Sequence, residues 1–246
     1  GNVIGSNILN ILLILGASAL IHPLIVKNDT VKKELPITLL ITTLFAVLLS
    51  DNIFDKSMVN NFTRGDGIVL ILFFLVFIYY LITLMRNKVE DEKEEEVWKL
   101  SKSILFTVLG LVMIIVGSNF VVDAASFLAK EIGISERIIS LTIIALGTSL
   151  PELVTSVMAT KKGEYDIAIG NVVGSNIFNI GIVMGLPVTI LGGISKIAFS
   201  YIDLIVMIGA ALLLFIFSRN DYKIKKSEGI AFLIIFVIYY SYVILG

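Results

Sequence analysis

The sequence predicts an all-α membrane protein, a polytopic helical bundle whose repeats run through the bilayer in opposite directions. Three observations carry that prediction. Of 246 residues, 57% are hydrophobic and only 16% are charged, against about a quarter charged in a soluble domain. The charges are bunched, which leaves uncharged runs long enough to cross a bilayer as helices. A sixteen-residue segment at the start of the chain also returns, without gaps, in its second half.

Composition excludes several classes. The net charge is −1 and no basic stripe exists, so no nucleic acid partner is expected. With no cysteine, disulfides and thiolate metal sites are ruled out. The single histidine, His22, cannot build a multi-histidine metal centre.

Eight apolar segments lie between the charge clusters: residues 1–26, 35–50, 67–85, 103–122, 138–160, 167–195, 197–218 and 229–246. The first lacks a basic leader and is rich in Asn and Ser, so it reads as a span and not a signal peptide. The fifth is uncharged except for Glu152, the sixth is long enough to include a re-entrant or loop portion, and the seventh carries Asp203. Alternate loops hold 14 and 5 of the 19 lysines and arginines, so the richer set, which includes Lys27, Arg86 and Lys161, should be cytoplasmic. Asn28 and Asn61 open Asn-x-Thr matches, weak glycosylation signals of which Asn28 falls on the cytoplasmic side. The acidic stretch of residues 86–102, with Glu90, Asp91, Glu92, Glu94, Glu95 and Glu96, reads as a solvated linker between halves. Asp123 and Asp203 are expected at interfaces, His22 at a span end, and Tyr79, Tyr80, Tyr239 and Tyr240 in aromatic belts.

The repeat joins GNVIGSNILNILLILG from Gly1 to GNVVGSNIFNIGIVMG from Gly170, with ten of sixteen positions identical. A second echo links the segments beginning at Gly67 and Gly229. The copies fall in the first and sixth spans, and an odd offset turns one copy over relative to the other. Such inverted repeats characterise secondary transporters, which bind substrate at the repeat interface near the midplane. The glycine pairs Gly1/Gly5 and Gly170/Gly174 are explained by close helix packing. The polar residues beside them are not. Asn2, Ser6 and Asn10 form one stripe at helical spacing, and Asn171, Ser175 and Asn179 form its match. An amide or hydroxyl without a partner costs roughly 4–8 kcal/mol in hydrocarbon, so the stripes should face each other or a wet cavity.

Glu152 stands midspan within ALGTSLPEL, residues 145–153, where an ionisable group is by default functional. Pro151 has no amide hydrogen, so the Gly147 carbonyl loses its helical partner and the chain around Thr148 should unwind. A carboxylate, free carbonyls and the hydroxyls of Thr148 and Ser149 make an all-oxygen site, the chemistry that suits Ca²⁺ or Na⁺.

GTSLPE followed by GNVVGSNIFN is similar to the α-repeat signature of the calcium/cation antiporter superfamily, which includes sodium/calcium exchangers. The resemblance implies a site between two such repeats. There Glu152 would ligand calcium and share in sodium binding, with the Thr148 carbonyl as a further calcium ligand. Ala145 and Ser175 would help hold sodium, and Asn179 would lie in the central site. Ser6 and Asn10 match the corresponding residues of the first repeat. Family members have ten spans, so eight are expected here out of ten. Residues 1–85 would be a first repeat lacking its two N-terminal helices and their acidic residue, and those helices would be needed for a complete site. Residues 86–102 would be the cytoplasmic linker and 103–246 a complete second repeat. Some relatives carry aspartate where this chain has Asn179, which lowers the site charge.

The implied function is antiport in a plasma membrane, with Na⁺ exchanged for Ca²⁺ by alternating access and no resident cofactor. A calcium/proton exchanger is the alternative. A channel is disfavoured because filters repeat one loop about an axis along the membrane normal, and an enzyme because no nucleophile–base pair or metal motif is present.

Overall fold

The computed structural model describes residues 2–54, 60–87, 99–134, 143, 145–194 and 200–245, with backbone alone at 52, 54, 87 and 145. Glu90 to Glu96, the acidic part of the expected linker, lie outside the described residues.

The helices in chain order are α1 (Asn2–Ile21), α2 (Leu35–Leu48), α3 (Asp51–Phe54), α4 (Arg64–Asn87), α5 (Leu100–Glu131), α6 (Ala145–Thr148), α7 (Leu150–Lys161), α8 (Tyr165–Leu191), α9 (Tyr201–Arg219) and α10 (Lys226–Leu245). Among the described residues, six of them are long and apolar enough to cross a membrane: α1, α4, α5, α8, α9 and α10. The second expected span is a 14-residue helix, α2, preceded by a π-helical turn at Thr30–Glu34. The fifth falls partly outside the described residues and continues as α7, of 12 residues. The fold is not purely helical. Two-residue strands β1 (Leu24–Ile25), β2 (Phe62–Thr63), β3 (Gly193–Ile194) and β4 (Lys223–Ile224) pair as β1–β4 and β2–β3, both antiparallel.

Packing divides the chain into two compact units. One holds the residues up to Phe74 together with those from Glu152 onward, and the other runs from Leu75 to Pro151. The core of the first unit is built on α1, where Ile8, Leu9, Ile11, Leu12, Ile14 and Leu15 are all buried. In the second unit the long helix α5 packs on α6, and its Val122 lies where a Cβ at Gly147 would have to go.

Within the first unit the repeats exchange partners. Residues 24 and 25 pair with 224 and 223, while their repeat equivalents 193 and 194 pair with 63 and 62. Gly16 of α1 meets the Gly229 end of α10, and its equivalent Gly185 of α8 meets the Gly67 end of α4. A Cβ at Gly67 would stand 2.5 Å from Thr189 Oγ1 and 2.8 Å from the Gly185 carbonyl; at Gly229 it would stand 2.8 Å from Ala19 Cβ and 3.0 Å from the Gly16 carbonyl. The helix starts correspond as well. Thr63 Nα–H donates to Asp66 Oδ2 (2.7 Å) and Lys225 Nα–H to Glu228 Oε2 (2.7 Å), each three residues on, as in a capping box. Contacts from one repeat to the other that recur with the roles swapped are what a two-fold axis produces.

Of the glycines expected to pack helices, Gly1 lies outside the described residues, and a Cβ at Gly5, Gly170 or Gly174 would meet nothing within 4 Å among those described. Close approaches occur at Gly67, Gly185 and Gly229 instead. Tyr239 also departs from its expected belt role: it is buried and donates to Asp203 Oδ1 at 3.0 Å. Asp203 is the third residue of α9, whose start is capped by Ser200, in line with an interfacial place.

Candidate functional site

The long apolar segment of residues 167–195 does include a short connecting portion: α8 carries it as far as Leu191, and a turn at Gly192 leads into β3. Within α8 lies a π-helical stretch at Asn179–Met184. α1 has the same feature at Asn10–Leu15, and the two stretches start at equivalent positions of the repeat. A π turn adds a residue to the helical circuit and is frequent at functional sites. In both copies it begins at the last asparagine of the GSN-containing motif.

Around these turns four asparagines make one network. Asn7, Asn10 and Asn176 are each no more than 1% exposed. Asn7 Nδ2 donates to the Asn176 carbonyl (3.4 Å) and Asn176 Nδ2 to the Asn7 carbonyl (3.3 Å). Asn10 Nδ2 donates to Asn176 Oδ1 (2.9 Å) and Asn179 Nδ2 to Asn7 Oδ1 (3.1 Å). Asn179 Nδ2 also reaches Ser6 Oγ at 3.3 Å. Every asparagine-to-asparagine bond thus has its repeat-related twin. Earlier residues of one helix meet later ones of the other, Ser6 with Asn179 and Asn10 with Asn176. That is the antiparallel sense an inverted repeat requires.

The stripes therefore meet only in part. Ser6 and Asn179 meet directly, whereas Asn10 joins them only through Asn176 and Asn7, which lie off both stripes. Contact between the helices follows rows spaced by three (Asn7 and Asn10, Asn176 and Asn179), whereas the stripes were drawn with a spacing of four. Asn2 is exposed and Ser175 half-buried. Asn171 turns to α7, where its Nδ2 donates to the Glu152 carbonyl (3.1 Å) and to Ser156 Oγ (2.9 Å). Ser156 Oγ in turn donates to the Ala168 carbonyl at 3.3 Å. Glu152 is thereby fixed on a helix tied to α8.

Two acceptors in this region are left over. Asn10 Oδ1 and Glu152 Oε2 are buried and have no hydrogen-bond partner among the described residues. An unsatisfied buried acceptor costs roughly 1–3 kcal/mol, so such oxygens in a native fold call for an occupant. The hydroxyls of Ser18, Ser126 and Ser218 share this status, but none belongs to the repeated motif. Ala145, Thr148 and Ser149 belong to the second compact unit. There the helix breaks at Ser149, between α6 and α7, one residue beyond Thr148; Ser149 is buried and Thr148 exposed. Among the described residues no group of three His, Cys, Asp or Glu side chains gathers.

Sequence comparison identifies the family to which this geometry belongs. A model described as sodium/calcium exchanger protein matches residues 1–83 and 102–245. The chain belongs to the sodium/calcium exchanger family. It is 36% identical over 253 residues to the putative antiporter CaxA of Alkalimonas amylolytica, with 97% of this chain and 76% of that protein covered. The inner membrane protein YrbG of Escherichia coli (strain K12) is 40% identical over 211 residues, covering 81% of this chain and 62% of YrbG. Sodium/calcium exchanger MaX1 of Methanosarcina acetivorans is 30% identical over 274 residues, covering 96% and 77%. A solved structure of the sodium-calcium exchanger NCX_Mj, soaked with zero Na⁺ and Ca²⁺, superposes with a TM-score of 0.79 at 32% identity. That match covers 97% of this chain and 74% of the other. The chain thus spans between about three fifths and three quarters of the relatives' length. Its fold and family are those of membrane-embedded exchangers.

Proposed function

We propose that the protein exchanges Na⁺ for Ca²⁺ across the cell membrane by alternating access. The observation that carries this reading is the two-fold amide network, in which Asn10 Oδ1 is left unpaired among the described residues, together with a second such buried oxygen, Glu152 Oε2, on the helix that Asn171 ties to α8. Oxygen-only ligands suit hard cations, and Ca²⁺ takes six to eight of them. We assign Glu152 as the charged ligand and Asn10, Asn179, Ser6 and Ser175 as neutral ones. Ala145, Thr148 and Ser149, which precede Glu152 in the chain, supply carbonyl and hydroxyl oxygens by family likeness. One Ca²⁺ and the competing Na⁺ ions use the same oxygens, so occupancy by one excludes the other. The symmetry supports a switch: a site between two swapped repeats can open to either side at similar energy.

Coupling to Na⁺ is favoured over coupling to protons by the donor set. Glu152 is the one titratable group among the residues assigned, whereas amides and hydroxyls hold Na⁺ without titrating. Proteoliposomes loaded with Na⁺ and diluted into Na⁺-free medium should accumulate Ca²⁺, and an imposed pH gradient in Na⁺-free buffer should not drive uptake. Uptake on the pH gradient alone would replace Na⁺ by H⁺ in the cycle. Non-saturating Ca²⁺ flux that needs no counter-ion would instead make the protein a channel.

A further inference from the structure

A primary amide can present either N–H or C=O to a cavity, and half a turn about χ2 exchanges the two. Only the oxygen is of use to a cation. Whatever holds Asn10 and Asn179 with oxygen toward the ion therefore decides whether the site works. The acceptors that take their NH₂ groups are Asn176 Oδ1 for Asn10 and Asn7 Oδ1 for Asn179. These acceptors are fixed in turn, because Asn7 and Asn176 donate their own NH₂ groups to each other's main-chain carbonyls. The consequence is visible at Asn10, whose nitrogen is engaged while its oxygen is buried and unpaired. Helix packing alone would be served by any mutually satisfied polar set; it would not leave one oxygen of that set unpaired.

We infer that Asn7 and Asn176 are positioning residues that orient the side-chain amides of Asn179 and Asn10 crosswise, each repeat setting the ion-facing oxygen of the other. This rests on the reading of Asn10 and Asn179 as ion ligands, and it deepens that reading by adding two residues that touch no ion. It also ties the repeats together chemically: a change in either helix alters the ligand carried by its partner.

The test is the Ca²⁺ concentration giving half-maximal Na⁺-driven uptake in proteoliposomes, together with maximal rate and thermal midpoint in detergent. Asn176→Leu should raise the half-maximal concentration by about tenfold, the scale of losing a residue that orients a metal ligand. In an Asn10→Ala background the same substitution should have no further effect beyond about twofold, since its target is gone; combined with Asn179→Ala the two effects should multiply. Asn7→Leu should show the mirror pattern, silent on Asn179→Ala and multiplicative on Asn10→Ala. Asn176→Asp keeps an acceptor for Asn10 but loses the donor to the Asn7 carbonyl. It should lower the thermal midpoint and raise the half-maximal concentration clearly less than Asn176→Leu does, and it serves if the leucine variant fails to fold. Effects that multiply in every background, or an Asn176→Asp variant as impaired in Ca²⁺ affinity as Asn176→Leu, would overturn the inference alone. Asn10→Ala and Asn179→Ala variants with unchanged Ca²⁺ dependence would remove the ion-ligand reading beneath it.

Discussion

At Asn171 a single side chain connects the carboxylate helix to the motif helix, through the Glu152 carbonyl and Ser156 Oγ. Replacing it by leucine removes two hydrogen bonds and leaves their acceptors in an apolar setting. The expected cost is roughly 1–3 kcal/mol of stability, read as a lower thermal midpoint, with a raised half-maximal Ca²⁺ concentration for uptake because α7 keeps only the Ser156–Ala168 bond of those that tie it to α8 here. An unchanged midpoint would show that α7 is positioned by other contacts. The residue scale also shows where sequence reasoning reached and where it stopped. That Ser6, Asn10 and Asn179 meet across the repeats, and that Glu152 is partly buried, was legible because polar groups in an apolar run need a reason to be there. Asn7, Asn176 and Ser156 were missed, although Asn7 and Asn176 are identical in the two copies. Helical spacing gives the faces of one helix but not the angle at which a second one crosses it, and that crossing decided which asparagines meet.

Among the elements, close packing moved from one set of glycines to another. Gly5→Ala should leave the thermal midpoint unchanged, since nothing lies within 4 Å of its Cβ position. Gly67→Ala drives a methyl toward the Gly185 carbonyl and Thr189 Oγ1, and overpacking of this kind costs about 1–3 kcal/mol. Equal midpoints for the two variants would contradict the interface described. The long spans α1, α4, α5, α8, α9 and α10 were legible from hydropathy, and Pro151 announced the break that falls at Ser149. The π turns and the strand pairs were not. A π turn shifts the helical phase by one residue, but in segments as uniformly apolar as NILLIL and NIGIVM there is no stripe in which to see the shift, and a two-residue strand carries no pattern of its own until its distant partner is known.

For the molecule as a whole, the exchanged strand pairs and glycine contacts place the loop of Ile25 and Tyr222 at one end of the first unit's repeats and that of Arg64 and Gly193 at the equivalent place of the other copy. An inverted arrangement would put these on opposite sides of the membrane, and the bias of lysines and arginines predicts that Lys27, Lys223 and Lys225 face the cytoplasm. The chain has no cysteine, so Tyr222→Cys and Arg64→Cys report directly: an impermeant thiol reagent added to intact cells should label Arg64→Cys and spare Tyr222→Cys. Labelling of both from the same side would contradict the inverted arrangement. The central claim is that Na⁺ and Ca²⁺ share one oxygen site with Glu152 as its charge. The most direct test is radiolabelled Ca²⁺ uptake into Na⁺-loaded proteoliposomes of wild type and Glu152→Gln, with folding of both confirmed by detergent thermal midpoint. The account predicts uptake in the wild type that external Na⁺ suppresses, and none in the variant. Wild-type uptake in a folded Glu152→Gln protein would contradict it.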